Sequence, residues 1–341
     1  MREWTVRREE KEQRFNKYLQ RKLPGAPSSF LYKMLRKKNI TLNGKKASGS
    51  ELLQEGDLVT LFLSDDTIVK FGGKTDLGKN AFNKDEAECG EYEKAYRQLR
   101  GRISEDGILY EDTNVLLVRK PVGILSQKAS DTDRSMNEWL LGYLLEKGEL
   151  DPSSIRHFKP SVCNRLDRNT GGILICSKSL SGSRKISELL RNRSVRKFYQ
   201  AAVLGTVDKT GVIEGYLKKD ALTNTVNFSR NKEQGANWTR TTYRPLITGT
   251  RYSLLEMELI TGKTHQLRSH LAAMGHPILG DPKYGDPQIN EKIRGEYGLR
   301  GQMLWCSRIE FPQIEGDLSA LSGKVILCDP PALYRDIAGI R

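Results

Sequence analysis

No apolar run in this 341-residue chain approaches the length that crosses a bilayer. Its first residues, Met-Arg-Glu-Trp-Thr-Val-Arg-Arg, lack the apolar stretch of a signal peptide, so a cytoplasmic protein is expected. Cysteine is sparse: five residues, at positions 89, 163, 176, 306 and 328, with no Cys-x-x-Cys pair. That spacing argues against zinc fingers and redox pairs and predicts reduced, buried thiols. Histidine is sparser, at four. His265 and His270 stand five apart, off the spacing that puts two metal ligands on one helical face, so no metal is expected. Gly262-Lys263-Thr264 invites a phosphate-loop reading, but the glycine such a loop needs is absent, its place taken by Met257. No nucleotide-driven motor is indicated. Repeats and low-complexity tracts are also missing. Acid is in deficit, 42 Asp+Glu against 56 Lys+Arg, for a net charge of +14. A polyanion is the economical partner for that balance, nucleic acid before an anionic membrane.

Length predicts about two domains. Residues 1–70 hold 15 Lys+Arg against 9 Asp+Glu. Residues 71–102 open on Phe-Gly-Gly-Lys, stay polar, and read as a linker with a short helix over 91–99. Residues 103–341, with 34 Lys+Arg against 27 Asp+Glu, form the larger domain. In the first segment Phe15, Leu19 and Leu23 recur at helical spacing until Pro24-Gly25 stops them. Ser28 or Ser29 is placed to cap a second helix, with Phe30, Met34 and Leu35 on one side. Ile40-Thr41-Leu42, Asn43-Gly44 and Lys45-Lys46-Ala47 predict a hairpin, and Leu58–Phe62 a closing strand. Arg36, Lys37 and Lys38 at the helix end and Lys45 and Lys46 on the hairpin make one basic face, either a solvated surface or a phosphate-binding one.

In the larger segment, Leu109–Val118 reads as one buried strand running into the turn Lys120-Pro121-Val122-Gly123. The most informative stretch is Asn164-Arg165-Leu166-Asp167-Arg168-Asn169-Thr170-Gly171-Gly172, followed by the apolar strand Ile173–Cys176. One carboxylate at a strand end between Arg165 and Arg168 is either a surface ion-pair loop or a nucleophile kept ionised by its flanking cations. Val195–Gly205 is a strand after a helix near 181–192. Leu255, Met257 and Leu259 alternate with Glu256 and Glu258, which predicts a strand with one wet face. Thr261-Gly262 turns the chain into a helix over 264–274 carrying Leu267, Leu271 and Met274 on one face. Residues 286–341 add little beyond a strand within 301–311.

Arg-Leu-Asp-Arg-x-Thr with its glycine and apolar strand closely resembles the catalytic loop of the pseudouridine synthases that modify large-subunit ribosomal RNA and some tRNAs. Lys120-Pro121-Val122-Gly123 and the string 261–285 resemble further motifs of that family. The chain departs from it at Asn164 (usually His), Gly171 (often Ser) and Lys263 (usually Arg). Residues 12–63 resemble the alpha-L RNA-binding module, through Arg14-Phe15-x-Lys17, Leu35–Ile40, Leu42–Lys45 and Glu55–Val59.

The resemblance implies an α+β chain: a small N-terminal RNA-binding module before a catalytic domain with a mixed, mostly antiparallel sheet. It implies Asp167 as nucleophile, Arg268 paired with it, Tyr199 against the target base and Arg165 in support. It implies RNA contacts from Arg36, Lys37, Lys38, Lys45, Lys46, Arg168, Lys263 and His265, with Gln266 either near the RNA or holding the helix start. Lys120 shapes the site or is an exposed turn lysine. The reaction would be uridine-to-pseudouridine isomerisation, by attack at the sugar's anomeric carbon or at the base. One carboxylate suffices for it, where a glycosidase uses two. No cofactor is needed, because the detached uracil is itself the group that re-adds. The expected partner is structured RNA, large-subunit ribosomal RNA before tRNA, met by a monomer with no membrane attachment. A rival from another class is a non-catalytic RNA-binding ribosome-assembly factor, for which Asp167→Asn would be harmless.

Overall fold

The computed structural model describes residues 1–72, 78–220, 225–299 and 301–339. They sort into two compact units, Met1–Gly90 with Leu150–Lys159, and Glu91–Glu149 with the chain from Pro160 onward.

The first unit holds β1 (Arg2–Thr5), α1 (Phe15–Lys22), α2 (Ser28–Arg36), β2 (Ile40–Leu42), β3 (Lys45–Lys46), β4 (Leu58–Leu61) and α3 (Asp65–Lys70). Its sheet runs β1-β4-β2-β3, antiparallel throughout. Phe15, Leu19, Leu23, Leu31 and Leu35 bury against Ile40, Val59 and Leu61 in one apolar core. Asn43 and Gly44 both take left-handed backbone, φ 53° and 71°, the conformation that matches a two-residue turn to strand twist. The expected serine cap does not form. Pro27 occupies the cap position with φ −58°, and Ser28 opens the helix, its hydroxyl accepting from Gln20 Nε2 at 2.6 Å. A ring-fixed φ replaces the hydroxyl as the start signal. Leu31 is buried beside Met34 and Leu35, with Phe30 half-buried at the rim. β1 is only four residues long and gave no periodic signal; pairing to β4 forms it.

The helix expected at 91–99 is the end of a longer one, α4 (Gly78–Leu99). The second unit continues with β5 (Ile108–Glu111), β6 (Val115–Lys120) and α5 (Met136–Glu146); α6 (Pro152–His157) belongs to the first unit. Then follow β7 (Ser161–Val162), β8 (Gly171–Ser177), α7 (Leu180–Arg191), β9 (Arg196–Leu204), β10 (Gly211–Asp220) and β11 (Thr225–Ser229). After these come β12 (Asn237–Thr248), β13 (Tyr252–Leu259), α8 (Gln266–Ala273), α9 (Pro287–Tyr297), β14 (Leu304–Glu310), β15 (Val325–Leu327) and α10 (Leu333–Gly339). The described strands form an eleven-stranded sheet in the order β11-β10-β12-β13-β9-β14-β8-β6-β5, with β15 on β14 and β7 on β8. Among the described strands only β14 and β8 run parallel.

Three readings need correction. The apolar run from 109 is a hairpin, not one strand: Asp112 Oδ1 accepts the N–H groups of Asn114 and Val115 at 2.7 and 2.8 Å and turns the chain. β13 has no wet face at Glu256, which is buried because the Arg244 and Arg308 guanidiniums reach its carboxylate at 2.8 and 3.4 Å. The tail adds more than its expected strand within 301–311, which forms as β14: that strand sits between β9 and β8 in mid-sheet, and β15 and α10 follow it.

At that crossing the chain demands glycine. A β-carbon on Gly171 would stand 2.2 Å from the Trp305 ring, so the indole fills the room that the family's serine would use. Gly172 has φ 105°, and a β-carbon there would lie 2.2 Å from the Cys306 carbonyl. Gly172→Ala is expected to lower unfolding stability by roughly 1–3 kcal/mol, from overpacking and backbone strain. A urea midpoint equal to wild type would contradict this close packing.

Candidate active site

Asp167 sits on the loop between β7 and β8, and the loop is tied down at nearly every residue. Asn164 Oδ1 accepts the Ile175 N–H at 2.7 Å. The buried Ser126 hydroxyl donates to the Leu166 carbonyl at 2.8 Å and accepts the Leu166 N–H at 3.0 Å. Thr170 N–H closes a turn onto the Asp167 carbonyl at 3.0 Å, and Gln302 Nε2 donates to the Thr170 hydroxyl at 2.7 Å. Lys120 is no exposed turn lysine. It is fully buried, and its ammonium donates to the carbonyls of Pro121, Ile124 and Arg168 at 3.1, 2.6 and 3.1 Å. Burial pushes its pKa down to about 7, against the attraction of Asp167. Three donors meeting three carbonyls suit the charged form.

The flanking arginines do not hold Asp167. Arg168 reaches Asp133 at 3.6 Å, and Arg165 is exposed at the cleft rim. Neighbours along a turn point apart. The cation comes instead from α8, where Arg268 Nη1 donates to Asp167 Oδ2 at 2.9 Å across 101 residues of sequence. Arg268 is itself gripped by Asp281, whose Oδ2 and Oδ1 accept from Nε and Nη2 at 2.7 and 2.8 Å. Burial opposes the charge of Arg268, but its bonds to Asp281 and the charges of Asp281 and Asp167 outweigh this and raise its pKa. Asp281 is fully buried and also accepts the N–H groups of Lys283 and Tyr284. The result is a row of carboxylate, guanidinium and carboxylate, whose outer end alone reaches solvent: the Asp167 side chain is 31 % exposed against 0 % for Asp281.

A shallow, open cleft lies over Asp167, and Arg165, Tyr199, Lys263, His265 and Arg268 line it. Tyr199 on β9 is 5 % exposed and lines the cleft. Lys263 is exposed at the mouth. Gln266 is committed to the scaffold: its amide donates to Arg240 O and Thr241 Oγ1, both at 3.0 Å, and its oxygen accepts from Thr261 Oγ1 at 2.8 Å. In the first unit Arg36, Lys37, Lys38, Lys45 and Lys46 are all exposed, and Arg36 and Lys46 line one surface groove.

Asp281, Ser126 and Gln302 escaped sequence reasoning. Asp281 stands in Gly280-Asp281-Pro282, where an aspartate before proline reads as an ordinary turn former. Its place in a conspicuous string was the available signal.

α8 is pinned to β12 by a second buried group. His270 is fully buried between Thr239 Oγ1, 2.9 Å from Nε2, and Thr241 Oγ1, 3.1 Å from Nδ1. Burial lowers its pKa from 6.5 to about 4. The unfolded chain therefore binds this proton first, so stability is full above the unfolded value of 6.5 and declines as pH falls toward 4. The loss can reach about 3 kcal/mol. His270→Gln is expected to flatten the acid limb of urea-derived stability between these values; an unchanged slope would assign the acid sensitivity elsewhere.

The family described as RNA pseudouridylate synthase matches residues 114–273. A ribosomal large subunit pseudouridine synthase C of Haemophilus influenzae is 31% identical over 310 residues, covering 90% of this chain and 86% of the relative. A ribosomal large subunit pseudouridine synthase D of Borreliella burgdorferi is 36% identical over 217 residues, 62% of this chain and 65% of the relative. The solved structure of human RNA pseudouridylate synthase domain containing 4 shares the fold, with a TM-score of 0.54 at 22% identity over 72% of this chain and 94% of that one. Fold and motif together place the chain among enzymes that modify RNA. It belongs to the RNA pseudouridylate synthase family.

Proposed function

We propose that the protein converts uridines of large-subunit ribosomal RNA to pseudouridine, with Asp167 as its nucleophile. The observation that carries this reading is the solvent-reachable carboxylate held at 2.9 Å by a buried guanidinium, inside the matched segment. Relatives named for the large ribosomal subunit support the choice of RNA. The basic face of Arg36, Lys37, Lys38, Lys45 and Lys46 supports the alpha-L module as an RNA anchor, with 1–70 as module, 71–102 as linker and 103–341 as catalytic domain. Phosphate contacts there and at Arg165, Arg168 and Lys263 would offset the few kcal/mol needed to unstack the target nucleotide. The protein is taken to act as a cytoplasmic monomer.

In this reading Asp167 attacks the anomeric carbon, and the bond to N1 breaks with its electron pair going to the uracil. The ring turns against Tyr199, and its C5 attacks the anomeric carbon, displacing the Asp167 carboxylate, which leaves with its bonding pair as the free anion. The C5 proton then leaves to solvent and N1 takes one up, so each turnover releases one proton from that carbon with no net change in composition. Arg268 holds one carboxylate oxygen and leaves the other to react. Tritium release from RNA labelled at uridine C5 tests this, with large-subunit ribosomal RNA and tRNA assayed apart. Release from the ribosomal RNA supports the reading. Release from tRNA alone would move the substrate. Tight binding with no release from either would favour the assembly-factor role.

A further inference from the structure

One imidazole at the cleft is bonded at Nδ1 to a phenol that itself accepts from a backbone amide. The Val226 N–H on β11 donates to the Tyr284 hydroxyl oxygen at 2.7 Å, and that oxygen stands 3.0 Å from His265 Nδ1. An amide N–H can only donate, so the phenol oxygen accepts from it. Among the described residues, His265 is the phenol's one remaining hydrogen-bond partner. With the phenol proton directed to Nδ1, the imidazole accepts there and carries its hydrogen on Nε2. Burial lowers the pKa of this ring, in keeping with a neutral imidazole. Nε2 lies 3.9 Å from Asp167 Oδ2, beyond hydrogen-bond reach, on a ring that lines the cleft. In that form the N–H points into the cleft beside the proposed nucleophile and, among the described residues, meets no hydrogen-bond partner. Its residue opens α8 in left-handed backbone, φ 52°, where asparagine would be the easier choice.

We propose that His265, held as its Nε2–H form by the Val226–Tyr284 relay, donates a hydrogen bond to an oxygen of the target nucleotide as it enters beside Asp167. This rests on the cleft taking a uridine. The oxygen is a uracil carbonyl or a ribose hydroxyl. The relay also ties β11, at the far edge of the sheet, to the cleft.

Two measurements test it. Nitrogen-15 NMR of the free protein is expected to show His265 with a protonated Nε2 and a bare Nδ1. Tyr284→Phe keeps the ring that covers the Arg268 guanidinium at 5.1 Å but removes the relay, and should yield a mixture of tautomers. A protonated Nδ1 in wild type would overturn the proposal without touching the isomerase reading. The second measurement is kcat/KM for tritium release by variants of His265. A glutamine amide reaches the place of Nε2 and an asparagine amide that of Nδ1. Donation predicts that His265→Gln stays within a few-fold of wild type, while His265→Asn and His265→Ala fall about tenfold or more. A purely backbone role predicts the reverse order, because asparagine tolerates the left-handed start better. Asparagine above glutamine, or all three equal to wild type, would sink the donor. RNA with 2′-deoxyuridine at the target separates the two oxygens: the alanine penalty vanishes if the hydroxyl is the acceptor and persists if it is the carbonyl. A wild-type enzyme that releases no tritium would sink the isomerase reading itself.

Discussion

Asp167→Asn is expected to lower tritium release by on the order of 10⁴-fold or more, with RNA affinity changed no more than a few-fold. The amide has the shape of the carboxylate and can still accept from Arg268 Nη1, but it is not a nucleophile. The variant should fold as wild type does. Arg268 keeps its two bonds to Asp281 at 2.7 and 2.8 Å, so no buried charge is orphaned. The loop keeps its ties to Ser126, Lys120 and Gln302, none of which uses the Asp167 side chain. Loss of turnover could then not be laid to loss of structure. Retained release would remove Asp167 from the chemistry and turn attention to the rest of the cleft. Release and binding lost together, with an unchanged unfolding midpoint, would mean that the carboxylate serves recognition rather than attack.

How far the site could be read in advance depended on how local its determinants are. Asp167 and Arg268 announced themselves through contiguous strings, and the structure joins them at 2.9 Å. The hairpin at Asn43-Gly44 and the strand Ile173–Cys176 rest on dipeptide and apolar-run signals that need no distant partner. Other features depend on contacts made far along the chain. Arg165 and Arg168 look like partners of Asp167 in sequence, yet a turn points consecutive side chains apart, and a helix a hundred residues on supplies the cation. Glu256 reads as a wet position by alternation, but Arg244 and Arg308 come from other strands to cover it. β14 became central because Gly171 and Gly172 leave room for Trp305 and the Cys306 backbone. No window of sequence containing one partner contains the other, so no periodicity could reveal the pairing.

Asp281 illustrates the consequence most sharply, since it touches no solvent and no part of the cleft yet sets the direction of Arg268. Asp281→Asn is expected to cost about 3 kcal/mol of unfolding stability, because it removes the buried counter-charge of the guanidinium and leaves only the part-exposed Asp167 to balance it. Turnover should also fall by about tenfold or more, since a guanidinium gripped on one side no longer presents Nη1 squarely to Asp167. The two losses have different origins and can be separated. Adding Arg268→Met to Asp281→Asn removes the buried, under-compensated charge, while the asparagine oxygen can still accept the N–H groups of Lys283 and Tyr284. The double variant is therefore expected to unfold at a higher urea concentration than Asp281→Asn alone. Its turnover should nevertheless be at least as poor, because Asp167 has then lost its guanidinium altogether. Stability and turnover recovering together would show that Arg268 serves the fold alone. Stability regained with turnover lost would establish the buried carboxylate as the anchor through which the fold aims its arginine at the reacting group.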